Sequence, residues 1–273
     1  MIQAISSMLS HPFMQRAILV GVLISLCGAL LGVSLVLKRY SMIGDGLSHV
    51  GFGVITISTA LGMTSPLYIS LPIVMITSII ILKIGNNKTI KSDSAIALIS
   101  SASLAIGVTV VSLTTGMNTD TCNFMFGSIL AMSPGDVILS IVVSIIVCIM
   151  FVIYYRKIYI LTFDEEFAKA SGLNVDRYTN IIAILTSVVI VVGMRMMGTM
   201  LISSIIILPA LSSMRVFKSF KKVVISSGII SVISFLFGIY FSYILNVSTG
   251  AMIVIVNLIV FVIFSIIAKI IEE

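Results

Sequence analysis

The chain places an aspartate and a histidine four residues apart in the stretch Gly44-Asp45-Gly46-Leu47-Ser48-His49, at the start of its second apolar segment. In a helix, side chains at positions i and i+4 lie on one face, one turn apart, so both can reach one small ligand. Ionisable side chains inside a membrane segment are costly and by default mark an ion or substrate path. The stretch therefore predicts a transition-metal cation site on a transport pathway.

The composition indicates a multi-pass protein of the cell membrane (the inner or plasma membrane). Of the 273 residues, 59% are hydrophobic and 10% are charged, and the mean hydropathy is +1.25. A soluble fold of this length could not hide so much apolar surface from water. The net charge of +6 is spread over several loops and forms no stripe. We therefore expect the lipid bilayer as a partner and no nucleic acid. The excess of Lys and Arg in the cytoplasmic loops of membrane proteins explains the positive charge better.

Uncharged runs long enough to cross a bilayer predict an all-α, polytopic transmembrane helical bundle of about nine helices, with eight as the alternative. We treat residues 1–273 as a single transmembrane domain. The choice between eight and nine depends on whether the two short segments around Arg195 both span. A short apolar stretch at 123–132 indicates a re-entrant or interfacial helix. The predicted segments are 17–37, 42–64, 67–82, 94–115, 137–155, 179–194, 199–214 and two within 223–268, divided near 246–250.

The basic residues predict the orientation of the bundle. If the odd-numbered segments all end on one side, that side receives 14 of the 16 Lys and Arg residues, and only Arg16 and Arg195 remain. Cytoplasmic loops carry an excess of Lys and Arg. We therefore expect the N-terminus outside and the C-terminus in the cytoplasm.

Carboxylate and imidazole together suit Mn²⁺, Zn²⁺ or Fe²⁺, whereas Ca²⁺ would require more carboxylates and no imidazole. Asp45 and His49 supply two ligands, fewer than the four of a tetrahedral site, and a twofold homodimer would double them. The structural alternative is an aspartate that caps a helix and a histidine that bonds a backbone carbonyl. Glycines at 44, 46, 51 and 53 would allow close approach of a neighbouring backbone.

A second pattern, at about 162–173, predicts a short amphipathic helix on the cytoplasmic side. Apolar residues recur at helical spacing, acids fill the first turn and Gly172 stands near the end. The helix either lies on the membrane surface or docks a soluble partner. Anionic head groups would repel its acidic first turn, which favours docking to a protein. The apolar positions are Phe163, Phe167, Ala170 and Leu173, and the acids are Asp164, Glu165 and Glu166.

Several functions are disfavoured by what the sequence lacks. It has no GxxxxGK[ST] motif, so any ATP that powers transport is bound by another subunit. An intramembrane aspartyl protease would need GxGD, but Met42 stands two residues before Gly44. The absence of a CxxC pair argues against a disulfide framework and a thiolate metal site. An ATP-independent secondary metal transporter stays open as the alternative, although such a carrier has no use for a docking helix.

Several stretches, in order along most of the chain, resemble one family. The core is Ser41–His49, which is similar to a family signature G-D-A-L-S-H; Gly46 stands where the family more often has Ala. The others are Pro12–Ala17, Leu30–Arg39, Phe126–Ala131, Asp164–Leu173 and Val191–Arg195 through Leu208–Ala210. They resemble the membrane permease subunits of ATP-binding-cassette importers for zinc, manganese and iron.

The resemblance implies a single transmembrane permease domain that forms a C2 homodimeric pore and works by alternating access. Its partners would be two cytoplasmic ATPase subunits and an extracytoplasmic metal-binding lipoprotein or periplasmic protein. Asp45 and His49 would be the intramembrane ligands of the transported Mn, Zn or Fe ion, with no permanently bound cofactor and no covalent chemistry. The segment 162–173 would be the coupling helix, and its residues toward the ATPase would be Asp164, Glu165, Glu166, Phe167, Gly172 and Leu173.

Overall fold

The computed structural model describes residues 10–63, 66–85, 92–114 and 134–272, and within these ranges all regular structure is helical. Ten helices are present in this part of the chain. They are α1 (Pro12–Leu37), α2 (Ile43–Ala60), α3 (Pro66–Gly85), α4 (Ser92–Thr114), α5 (Pro134–Phe163), α6 (Glu165–Ala170), α7 (Val175–Met197), α8 (Thr199–Val216), α9 (Phe220–Leu245) and α10 (Thr249–Glu272). The stretch 123–132 lies outside the described residues.

Eight of the described helices are long and apolar enough to cross a membrane, and α2 is not among them. At 18 residues α2 is long enough, but Asp45, His49 and four glycines reduce its hydropathy. The one long helix that fails this test is therefore the helix that carries the predicted site. The all-helical, multi-pass architecture agrees with the sequence, and the exact number of spans stays a prediction.

Helix α1 is a buried axis of the bundle and packs against α5, α7, α8 and α9. It begins with Pro12 in its first turn, where a missing N–H costs nothing. At its end the Tyr40 N–H donates to Leu35 O (2.8 Å), and Arg39 adopts a left-handed φ of 61°. This C-terminal turn leads directly into α2, which starts three residues after Tyr40.

Glycine allows the closest helix contacts around the predicted site. A Cβ at Gly32 of α1 would overlap the Ile206 carbonyl of α8, and a Cβ at Gly28 would lie 3.1 Å from Ile205 Cγ2. The Gly28/Gly32 pair is thus a packing surface of the small-xxx-small kind. On α2, a Cβ at Gly53 would lie 2.6 Å from the Ser103 carbonyl oxygen of α4. These contacts bring α1 against α8 and α2 against α4.

The junction of α7 and α8 is a single residue, Gly198, with φ 86° and ψ 160°. Residues other than glycine rarely adopt this backbone conformation, so the sharp reversal of the chain requires glycine here. Two separate helices of 23 and 18 residues therefore meet at Gly198, and Arg195 lies in the last turn of the first. Both are of spanning length, and α7 begins four residues before the predicted segment at 179.

Candidate metal-binding site

Asp45 and His49 lie on one face of α2, as the i, i+4 spacing predicts. His49 Nε2 is 3.5 Å from Asp45 Oδ2, and the two side chains are 19% and 41% exposed. The carboxylate is thus the more open of the two, and the imidazole sits deeper in the bundle. One cation placed between them could contact an oxygen and a nitrogen at once.

The other imidazole nitrogen of His49, Nδ1, is buried and has no hydrogen-bond partner in the described part of the chain. A buried polar atom without a partner costs free energy, and in native structures it calls for an explanation. No backbone carbonyl within these ranges satisfies this nitrogen, so the alternative of a carbonyl-bonded histidine receives no support. Neutral imidazole nitrogen is a common metal ligand.

Helix α8 forms the second wall of the site. The Ser203 hydroxyl, which donates to Thr199 O at 3.0 Å, lies on this wall with Asp45 opposite. Asp45 and Ser203 border an open pocket of about 550 Å³, whose remaining wall is the first turns of α10 around Gly250 and Val254. The carboxylate therefore faces an accessible space between three helices.

The glycine at position 46 has a physical reason in the structure. A Cβ there would lie 2.5 Å from Ile96 Cγ2 on α4. Alanine would fit only if Ile96 moved or became smaller. Gly46 and Ile96 therefore match each other, and the glycine brings α4 against the helix that carries Asp45 and His49.

Within the described ranges, no group of three or more His, Cys, Asp or Glu side chains is placed to hold a metal ion. One copy of the chain thus contributes one carboxylate and one imidazole to the site. A tetrahedral site would need two further ligands.

The second sequence-predicted region is α6, which lies inside the expected 162–173 segment. Asp164 caps it, because its Oδ1 accepts the Phe167 N–H at 2.8 Å. Gly172 ends the turn with φ 80°, and the Leu173 N–H donates to Ala168 O at 3.0 Å. Three of the six predicted coupling residues thus shape the helix itself, with Leu173 packed against the core.

The other three predicted residues divide by exposure. Glu166 is exposed and Phe167 is 58% exposed, so both face away from the bundle. Glu165 instead contacts Lys38 at the end of α1, with Nζ 3.6 Å from Oε2. The exposed part of α6 is therefore smaller than the sequence pattern indicates.

The sequence matches the ABC 3 transport family over residues 10–268. The chain belongs to the ABC 3 transport family. It is 31% identical to the manganese import system permease protein ScaB of Streptococcus gordonii, over 92% of this chain and 90% of that protein. It is 28% identical to the high-affinity zinc uptake system membrane protein ZnuB of Haemophilus influenzae, over 90% of this chain and 94% of that protein.

A solved structure of PsaBC from Streptococcus pneumoniae in complex with Fab is similar to the fold, with a TM-score of 0.85 and 28% identity. The match covers 97% of this chain and 95% of that chain. Membership in the ABC 3 transport family makes the chain a transport subunit, not an enzyme. It also decides between the two transport readings in favour of the ATP-binding-cassette permease.

The structure also joins residues that the sequence leaves apart. Cys27 of α1 and Cys148 of α5 have Sγ atoms 3.5 Å apart, and the Cys27 thiol donates to Ser144 O at 3.4 Å. Both are free thiols. A separation of 121 residues gives no CxxC signal, so the spacing rule could not find this pair. Ser203 was missed for the same reason, because it carries no local motif.

Proposed function

We propose that this ABC 3 transport family permease conducts a divalent transition-metal cation, Mn²⁺, Zn²⁺ or Fe²⁺, into the cytoplasm through a site formed by Asp45 and His49. The observation that carries the proposal is the His49 imidazole: its Nε2 lies 3.5 Å from a carboxylate that faces an open pocket, and its buried Nδ1 has no partner among the described residues. Oxygen and imidazole nitrogen together suit these three ions, and do not distinguish among them.

A second copy of the chain completes the site in this proposal. Two ligands from each copy, related by a twofold axis, give the four that one ion requires. The exposed face of α4, beside α2, supports such a contact, because small and hydroxyl side chains recur there at helical spacing. The exposed face of α5, in contrast, carries large apolar side chains, as expected of a surface toward lipid: Ile138, Val142, Ile145 and Ile149. The small residues are Ser101, Ala105, Thr109 and Ser112.

Helix α6 is the proposed contact with a cytoplasmic ATPase subunit, one for each copy. Phe167 is a large apolar side chain exposed beside the Glu166 carboxylate, on a helix with well-formed ends. A protein groove would bury the ring and pair the acid, whereas anionic head groups would repel it. The basic residues support the orientation that puts this helix in the cytoplasm.

The proposed mechanism is alternating access. An extracytoplasmic metal-binding protein delivers the ion to the outer side of the dimer. ATP-driven closure of the two ATPase subunits displaces the α6 helices and tilts the two halves of the pore. Asp45 and His49 hold the ion while access changes from outside to inside, and the chain makes or breaks no covalent bond.

The test is cellular accumulation of Mn, Zn and Fe at matched membrane expression. We expect Asp45→Ala and His49→Ala each to reduce uptake of one metal by roughly 100-fold, because each removes half of the ligands that one chain provides. Ser48→Ala is the matched control, since the Ser48 hydroxyl lies on the same helix but donates to Gly44 O of α2 at 2.7 Å. Full uptake by both site variants would refute the proposed ligands.

A further inference from the structure

Lys38, the residue that follows α1, is an ionisable side chain that the bundle largely buries. Its side chain is 13% exposed, and its Nζ lies 3.6 Å from Glu165 Oε2 on α6. A cation removed from water is costly unless an opposite charge accompanies it. Burial lowers the pKa of Lys38, and the Glu165 carboxylate opposes that change. Glu165 therefore stabilises a charge that α1 brings to this junction.

Glu165 has a second basic partner, which provides a comparison. Lys169 Nζ also lies 3.6 Å from the carboxylate, at Oε1, but its side chain is 63% exposed and belongs to α6 itself. An exposed ion pair within one helix contributes little to stability and connects no two helices. The contact with Lys38, in contrast, is partly desolvated and connects two helices.

A hydrogen bond beside the ion pair joins the same two parts of the molecule. Ser34 Oγ of α1 lies 2.8 Å from Thr162 Oγ1, two residues before the α6 cap. The Thr162 hydroxyl donates to Ile158 O, so it accepts from Ser34. Ser34 is 1% exposed. The segment that carries α6 is thus attached to α1 at two points one helical turn apart.

The connection from Lys38 to the metal-site helix is short and hydrogen-bonded. The Tyr40 N–H donates to Leu35 O, and the Ile43 N–H donates to Tyr40 O at 3.0 Å. Tyr40 is itself buried. Only six residues separate Lys38 from Asp45, and this turn has little freedom to absorb a displacement. A movement of the end of α1 therefore also moves the start of α2.

We propose that the Lys38–Glu165 pair transmits the displacement of α6 to α1 and, through the 38–43 turn, to the helix that carries Asp45. This proposal rests on the proposed function, in which an ATPase displaces α6. Lys38 and Glu165 are positioning residues, because they contact neither the cation nor the nucleotide. Coupling of this kind travels through contiguous packed and charged contacts.

The experiment uses the whole transporter, permease with its ATPase and delivery protein, in proteoliposomes, with Mn²⁺ as the probe. Manganese import and ATP hydrolysis are measured in the same vesicles. We expect Lys38→Met and Glu165→Gln each to reduce the Mn²⁺ imported per ATP by about tenfold, a typical size for coupling between two sites. The hydrolysis rate and the amount of co-purified ATPase should stay within about twofold, a change of under half a kcal/mol in free energy.

Lys169→Gln is the matched control, since it removes the exposed partner of the same carboxylate, and it should leave the import ratio unchanged. The exchanged pair, Lys38→Glu with Glu165→Lys, should recover more import than either reversed single variant. An unchanged ratio in Lys38→Met, or an equal loss in Lys169→Gln, would overturn the transmission role. Loss of the co-purified ATPase in Glu165→Gln would also overturn it, because Glu165 would then be a docking contact.

Failure of the proposed function gives a different result from failure of the transmission role alone. If the wild-type complex imports no Mn²⁺, Zn²⁺ or Fe²⁺ on addition of ATP, the proposed function fails, and the transmission role fails with it. The purified permease alone then still shows whether the Lys38–Glu165 pair holds α6 against α1. A double-mutant cycle on its Tm, with Lys38→Met and Glu165→Gln, gives a non-additive result if the pair ties α6 to α1.

Discussion

Two ionisable pairs lie in long helices of this permease, and they differ in what they leave unsatisfied. Arg195, at the end of α7, lies 3.3 Å from Asp136 at the start of α5, so opposite charges from two helices meet. Asp45 and His49 lie on one helix, and the second imidazole nitrogen has no partner among the described residues. The first pair is closed, and the second is open to a further ligand.

The difference indicates what each pair contributes. An ion pair between helices joins them and offsets part of the cost of burying each charge. A pair at i, i+4 joins no helices, so packing does not explain its presence in α2. The open pair is therefore the one that needs a function, and the closed pair needs only a structural role.

The closed pair should be the more important of the two for stability. Arg195→Gln leaves Asp136, 15% exposed, without its cation, and should lower the free energy of unfolding by about 3 kcal/mol. The double variant Asp136→Asn/Arg195→Gln should recover much of this loss, since no charge stays buried. Thermal unfolding of the purified permease measures both.

Import per correctly inserted molecule supplies the converse measurement. It should stay near the wild-type value in the double variant, because the closed pair binds no cation. A loss of import as complete as that of Asp45→Ala would remove the distinction between the two pairs. It would place Asp136 and Arg195 on the ion path.

The sequence was sufficient to predict the open pair but not the closed one. The i, i+4 spacing of Asp45 and His49 is a local property of one helix, so periodicity alone puts both on one face. Asp136 and Arg195 are 59 residues apart in sequence, and their contact depends on how α5 and α7 pack. The sequence assigned Arg195 only to a side of the membrane.

Metal binding should sharpen the comparison at the open pair. A ligand that binds only the folded state at 100 times its Kd stabilises it by about 2.7 kcal/mol. We expect saturating Mn²⁺ or Zn²⁺ to raise the Tm of the wild-type permease, and Arg195→Gln to keep this increment from a lower starting Tm. His49→Ala should lose it.

An increment that survives in His49→Ala and Asp45→Ala would mean that the ion binds elsewhere. The choice of Mn²⁺ and Zn²⁺ follows from the ligand types, which accept both ions. Ca²⁺ is the control cation, because one imidazole and one carboxylate per chain suit it poorly. A Tm increment with Ca²⁺ as large as with Mn²⁺ would indicate a nonspecific effect of divalent charge.

The amphipathic helix shows the same limit of sequence reasoning. Capping signals predict α6 well, because Asp164 and Gly172 act through the backbone within a few residues. The three adjacent acids look alike in sequence, yet the fold gives each a different role. Asp164 caps the helix, as the local signal predicts, whereas only the position of α1 determines that Glu165 contacts Lys38 and that Glu166 stays exposed.

Lys38 and Glu165 form a third ionisable pair, in which burial and the opposite charge act against each other on Lys38. The pH dependence of the Tm tests this pair, and it is the smallest effect that we expect. Burial lowers the pKa of Lys38 in the folded state below the ordinary 10.5, so folding releases a proton in the interval between the two values. The unfolded state then binds more protons, and stability rises with pH across that interval. Below the folded-state pKa both states are protonated, and this gain is absent.

The Tm of the wild type relative to Lys38→Met should therefore increase as pH approaches 10.5. A relative Tm that falls over this range would mean that Glu165 raises the pKa more than burial lowers it, and Lys38–Glu165 would then be a closed pair like Asp136–Arg195.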